Sequence, residues 1–565
     1  MRLTLTLALT LCLLSFWLSA CSGGTVKAPL NKQTYRVPIV GIEDFDTLDP
    51  ALADDPNSIS AIQMIYTGLV GLNDSLQVAP QIAASWQVDA TGTTWTFHLR
   101  PHLKFSDNTN LTSADVAYSI DRALQPDTKS TVAPIYLSLI KDADQLLAGK
   151  ITTLIGDSIL TPNPQTVVII TKQKAAYFLS MLTSTCAYVV EKSLITKYGE
   201  QFTDHLAEGG STGPFKVVHY IHRSNIAFVP NTHYYNTPPQ LQNVTFTFYH
   251  TAATAYQDYL QNKLDTVPVS FTDLNQAKQR PEEFHQENQL WINYYAMNYL
   301  TKPFDNIHIR QAFALTINKV ALAKNLWRGT LIPTNHIVPA GMTGYNPKLT
   351  GPDGTQNLTG NAKLAQQLLQ QGLQEEGWSN VSQMPPITLS YVSDMGTFDQ
   401  EVSALIQQWQ KVLGVTVSPD PEDGNTLLDN VTNATNNPQG LQMWALGWVG
   451  EYPDPQDWLS LQFGNGATYN NMNYGQNNSQ DAAKQQFAQQ QLATADTTLG
   501  NRNQSARIHN YQQAEQQIVN DVAWIPVEQV DSLFLRSTSI VGFIDNAQGI
   551  MPPNDWASIY RVQPA

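Results

Sequence analysis

W95-T-F-H-L-R-P-H-L-K-F-S-D107, with L111-T-S-A-D-V-A-Y-S-I-D-R122 close behind it, sets two hydrophobic periods side by side. Trp95, Phe97 and Leu99 alternate with polar residues, the pattern of a strand with one buried face. Thr112-Ser-Ala-Asp115 has the spacing of a capping box. Behind it Val116, Ile120, Ala123 and Leu124 form one helical stripe, which stops at Pro126. The same alternation recurs downstream. Val402, Leu405, Ile406, Trp409 and Leu413 align on a helix ended by Gly414, with V415-T-V417 as the next strand. Ile508, Tyr511, Glu515 and Ile518 align on another helix that leads into A523-W-I-P-V527. Helix and strand alternate over most of the length, which predicts an α/β fold.

The 565 residues exceed what one hydrophobic core organises, so roughly two to four packing units are expected. Charged residues make up only 14%, and amides replace them in runs such as Q366-Q-L-L-Q-Q371. A formal net charge of -15 argues against nucleic-acid binding, which needs a basic face. No polybasic stretch marks a phospholipid surface. No internal repeat is evident, and residues 22–34 are the only long stretch that reads as unstructured.

The N-terminus has the parts of a secretory signal over residues 1–20: Arg2, a largely apolar run from Leu3 to Leu18, then small residues. Leu18-Ser19-Ala20-Cys21 resembles the bacterial lipobox, in which the cysteine is acylated and becomes the mature N-terminus. This predicts a lipid-anchored protein outside the cytoplasmic membrane, on a tether over residues 21–35. Of three cysteines, Cys12 leaves with the signal and Cys21 carries lipid, so Cys186 alone remains and no internal disulfide forms. Cys186 reads as a small buried apolar residue.

G209-G-S-T-G213 matches G-x-S-x-G, but Pro214 and a strand-like F215-K-V-V-H-Y220 follow where the nucleophile elbow needs a helix. Pro101 separates His98 from His102, and His219 and His222 fall on opposite faces of a strand, so no metal site is expected. Neither a phosphate-binding GxxxxGK[ST] nor a dinucleotide glycine pattern occurs, and no cofactor is expected. L446-G-W-V-G-E-Y-P-D-P-Q-D-W-L459 is harder to read, with Glu451, Asp454 and Asp457 among aromatic rings. These carboxylates fit a glycosidase acid and base, a counter-charge for a cationic ligand, or a solvated turn.

Many segments in order resemble one family, the family 5 extracellular solute-binding proteins, which are dipeptide- and oligopeptide-binding lipoproteins of ABC importers. They begin with Thr47-Leu-Asp-Pro50, Y66-T-G-L-V70 and A79-P-Q-I-A-A-S-W86, and the opening pair of segments is the most specific. T212-G-P-F-K216, N231-T-H-Y-Y235, L264-D265, F304-D-N-I-H-I-R-Q-A-F-A-L-T-I-N-K319, N361-A-K-L-A-Q-Q-L-L369 and G414-V-T-V417 follow.

The resemblance implies a two-lobed periplasmic-binding-protein-like α/β fold with a cleft between the lobes. Lobe I would comprise residues 36–56, 211–290 and 528–565, with a subdomain inserted at 57–210, and lobe II would run from 291 to 527. It implies a monomer that hands peptide to the permease and ATPase subunits of an importer, with no catalysis. It places Gly447, Trp448 and Val449 in the cleft, where the ligand pairs with backbone like an added strand. It makes Glu451 the counter-charge for the ligand's α-ammonium group, and Phe45 and Asp46 ligand contacts. Asp454, between two prolines, reads as a turn residue.

Four departures stand out. Glu451 is one methylene longer than the usual Asp. W444-A-L446 lacks the Arg that some relatives place before Gly-Trp, so no residue is assigned to the ligand's C-terminal carboxylate. D107-N108 replaces Asp-Gly, and Asn318 replaces a common Asp. The alternatives are the same fold binding a nickel chelate, oligosaccharide, opine or plant-derived amine, and, more remotely, a carboxylate-based glycoside hydrolase.

Overall fold

The computed structural model describes residues 26–394, 396–476, 481–500 and 503–563. The signal segment and Cys21 lie outside the described residues. The opening stretch folds as its periods predict. The strand Thr94–Leu99 buries Trp95, Phe97 and Leu99 and lies between Ala83–Val88 and Thr166–Ile170; Ile159–Asn163 completes an antiparallel sheet. The helix Ser113–Ala123 starts at a capping box, in which the Thr112 N–H donates to the Asp115 carboxylate at 2.8 Å. Its predicted stripe is buried, and it packs with the sheet in one core.

A second four-stranded sheet has the order Thr34–Val40, Asn243–Tyr249, Asn225–Pro230, Phe215–Ile221, with the first pair parallel. The helix Pro56–Ile65 packs on it and leads the chain out to the subdomain of the first sheet. The chain returns through Gly209–Gly213, where Ser211 is fully buried. A Cβ on Gly213 would meet the Met64 carbonyl oxygen at 2.6 Å, so the glycines there serve close packing rather than a nucleophile elbow.

The largest sheet runs in the order Thr266–Pro268, Trp524–Arg536, Phe284–Met297, Met443–Val449, Ile387–Val392, Val417–Glu422. Leu331–Pro333 also pairs with Trp524–Arg536. The two long strands run antiparallel between the lobes and cross the expected boundaries near 290 and 527. Their pairing breaks between Asn288 and Ile292. There the buried Gln529 side chain donates to the carbonyl of Gln289 (2.8 Å), a backbone group that the break leaves open, and to that of Ala340 in a nearby loop (2.9 Å).

The helix Thr397–Leu413 buries Val402, Leu405, Trp409 and Leu413 and ends at Gly414 with φ +71°. The following strand is Val417–Glu422, later than the V415-T-V417 expected. Its edge position tolerates Pro419 and Pro421, whose missing N–H groups need no partner on the open side. The cores exchange side chains. Tyr452 sits in the core of the Thr94–Leu99 sheet, and Leu72 and Leu76 sit in a core of the largest sheet with Ile292, Trp444 and Trp524.

Candidate functional site

The strand Met443–Val449 is the middle of the site. One edge pairs along its whole length with Phe284–Met297, from Met443 opposite Met297 to Val449 opposite Trp291. The Gly450 N–H donates to the Leu290 carbonyl at 2.9 Å. In an antiparallel ladder, Trp448 and Leu446 then face the same partner, and the backbone groups of Ala445, Gly447 and Val449 point the other way. On that side Ile387–Val392 pairs only at Met443 and Trp444. From the Ala445 carbonyl to Val449 no strand among the described residues takes those groups.

Side chains alternate with the backbone. Val449 and Trp291 are 55% and 40% exposed and lie on one face, with Gly447. A Cβ on Gly447 would come within 2.4 Å of Trp291 Nε1 and 2.9 Å of Asn293 Oδ1, so glycine lets the indole lie flat across the strand. Trp448 points to the other face, touches Tyr469 at 5.2 Å between ring centroids and donates its indole N–H to Asp457 at 3.2 Å. Gly447 and Val449 thus offer backbone to the open edge, and Trp448 does not.

The three carboxylates of the 446–459 stretch take three different roles. Asp457 is fully buried and accepts hydrogen bonds from Trp448 and from the Glu451 N–H at 3.1 Å. Burial, and next the charge of Glu451, hold its carboxyl well above the usual range. Asp454 accepts the Gln456 N–H at 3.0 Å, which makes the turn, and also forms a buried ion pair with Arg507 at 2.6 Å. Glu451 lines one cavity, Asp454 lines another beside Arg507, and Asp457 lines neither, so they do not form a facing acid–base pair.

The cavity at Glu451, about 280 Å³, is lined from several separate parts of the chain. Ala53, Asp54, Ile59 and Gln63 line it from the helix Pro56–Ile65 and the loop before it, and Tyr136 and Tyr188 come from later segments. The Tyr136 hydroxyl donates to Glu451 Oε2 at 2.5 Å. Burial and then the Glu451 charge push that hydroxyl's pKa far up, so it stays a neutral donor. Glu451 has no cationic partner among the described residues.

The other two expected contacts separate. Phe45 is 7% exposed and packs on Phe248 and Tyr220 at 5.0 and 6.2 Å, inside the lobe I core. Asp46 is exposed, with its carboxylate grouped with those of Asp54 and Asp55 within 4.8 Å. Asp54, Tyr136 and Trp291 were missed by sequence reasoning. Nothing in their local pattern distinguishes them, because they reach the site from three separate parts of the chain.

Residues 77–470 match the family described as bacterial extracellular solute-binding proteins, family 5. The chain belongs to this family. It is therefore a solute-binding protein, not an enzyme. It is 27% identical over 457 residues to the oligopeptide-binding protein OppA of Bacillus subtilis, covering 79% of this chain and 81% of that one. It is 26% identical over 440 residues to the periplasmic murein peptide-binding protein MppA of Escherichia coli, covering 76% and 78%. In three dimensions it matches MppA in its unliganded open form with a TM-score of 0.80 at 23% identity, over 96% and 99% of the two chains. No helix among the described residues of this family 5 chain is long and apolar enough to cross a membrane.

Proposed function

We propose that this family 5 protein captures peptides outside the cell membrane and delivers them to the permease of an ABC importer, anchored by lipid on Cys21. The observation that carries this reading is the unpaired strand edge from the Ala445 carbonyl to Val449, running up to Glu451. An extended ligand main chain completes the sheet at that edge, which gives affinity without reading side chains. Its α-ammonium group reaches the Glu451 carboxylate, which otherwise holds only a neutral hydroxyl. Relatives named for oligopeptide and murein-peptide binding support the choice of ligand. The likeness to an unliganded open form supports an open cleft that closes on its ligand.

Titration calorimetry of the purified protein tests this with tripeptides, oligosaccharides and nickel chelates. Tripeptides are expected to bind and the others not. Binding of a sugar or nickel complex with no response to peptides overturns the reading.

A further inference from the structure

The cavity beside Glu451 carries more negative charge than one peptide N-terminus neutralises. Two carboxylates line it, Glu451 from lobe II and Asp54 from lobe I, and no Lys, Arg or His does so among the described residues. Asp54 has no hydrogen-bond or ion-pair partner among the described residues, and neither has its neighbour Asp46. Asp55, the third of that group, is already occupied as a helix cap, accepting the Asn57 and Ser58 N–H groups at 2.9 and 3.0 Å. The cavity wall is otherwise that of a side-chain pocket. Ile59, Val132, Ile135 and Met551 supply apolar surface, and Thr131 and Thr185 supply hydroxyls.

We infer that this cavity selects peptides whose N-terminal residue is cationic, lysine or arginine, with Asp54 as the counter-charge. The inference rests on the peptide reading, which sets the ligand's α-ammonium at Glu451. A neutral first residue leaves Asp54 facing a cavity with no cation once the lobes approach, and an uncompensated carboxylate is costly to desolvate. A lysine or arginine stem covers the apolar wall while its head meets Asp54. An acidic first residue adds a third negative charge and is excluded, so selectivity comes from repulsion as well as attraction.

The test compares Lys-Ala-Ala, norleucine-Ala-Ala and Glu-Ala-Ala by calorimetry on the purified protein and on Asp54→Asn. Norleucine keeps the aliphatic stem and removes the charge. We expect lysine to bind roughly tenfold or more tightly than norleucine, glutamate to bind weakest, and the lysine advantage to collapse in Asp54→Asn. The advantage should also shrink in the unaltered protein as ionic strength rises, a readout that does not depend on the variant folding. Equal binding of the lysine and norleucine peptides, or an advantage that survives Asp54→Asn, overturns the inference and leaves the peptide reading standing. Failure of all three peptides to bind overturns both.

Discussion

The indole of Trp291 lies against the backbone of Gly447, with no room for a Cβ between them. The two residues are diagonal neighbours across paired strands, two residues out of register, on the exposed face of the sheet. Gly447→Ala must displace either the indole or the strand. Overpacking of this kind typically costs about 1–3 kcal/mol. A lowered denaturant midpoint is expected, with weaker peptide binding because the open edge shifts. In a Trp291→Ala background the alanine should cost much less. An alanine tolerated equally in both backgrounds would show that the contact does not constrain the strand.

On the proposed pairing, Glu451 and the ligand's ammonium group form one interaction, so removing either partner should remove the same free energy. Truncating one member of a desolvated charge pair costs about 2–5 kcal/mol. Glu451→Gln and N-acetylation of the peptide should each weaken binding by at least about tenfold, or 1.4 kcal/mol. Applied together they should cost less than the sum. Acetylated and free peptides binding alike to the unaltered protein would contradict the pairing.

Asp454 does more than shape a turn. Its ion pair with Arg507 is buried on both sides, at 8% and 4% side-chain exposure. Removing one partner of such a pair costs about 3–5 kcal/mol, because the other charge is left without compensation. Asp454→Asn should therefore lower the melting temperature by several degrees, yet leave the ratio of free to acetylated peptide affinity as it was. A change in that ratio without loss of stability would reverse the assignment.

Glu515 makes stability depend on pH in a defined direction. It is fully buried beneath the Ile337 and Val338 N–H groups, which donate to it at 3.0 and 2.9 Å, and burial pushes its pKa up to about 8. The folded state thus holds this proton more tightly than the unfolded chain, whose Glu titrates near 4.5. Its contribution is full below about pH 4.5 and is lost as pH rises toward about 8. Glu515→Gln keeps an acceptor for both N–H groups and removes the titration. The variant's melting temperature should fall less steeply over that window than the parent's. Parallel curves would place the proton elsewhere.

The lipid anchor has a direct test in fractionated cells. Cys21→Ser should move the protein from membranes to the medium or periplasm. Retention on membranes would mean that an uncleaved N-terminal segment holds it there.

What could be read from the sequence was local. The strand at Trp95 and the helix behind Thr112 follow from periods of two and 3.6, and the stripe from Val402 to Leu413 likewise. The open edge could not be read, because it depends on where Ile387–Val392 stops pairing, after Trp444. Nor could the partners of the acidic stretch. Arg507 lies 53 residues from Asp454 and Tyr136 lies 315 from Glu451, and no periodicity links residues so far apart. The aromatic ring at Phe45 illustrates the converse, since a motif position cannot tell a core ring from a cleft ring. Its neighbours Tyr220 and Phe248 come from the strands Phe215–Ile221 and Asn243–Tyr249.

A strand edge left open for cargo is also open to another copy of the same protein, and unpaired edges are where folded chains aggregate. Here the exposed run is short. It is stopped at one end where Ile387–Val392 takes over at Trp444, and at the other by the bend into Glu451 and Pro453. Ala445, Gly447 and Val449 are the only residues in it that turn backbone outward. A second sheet would find too few rungs there to hold on by, whereas a slender extended chain finds enough. Brevity is thus itself a guard against edge-to-edge pairing of two copies.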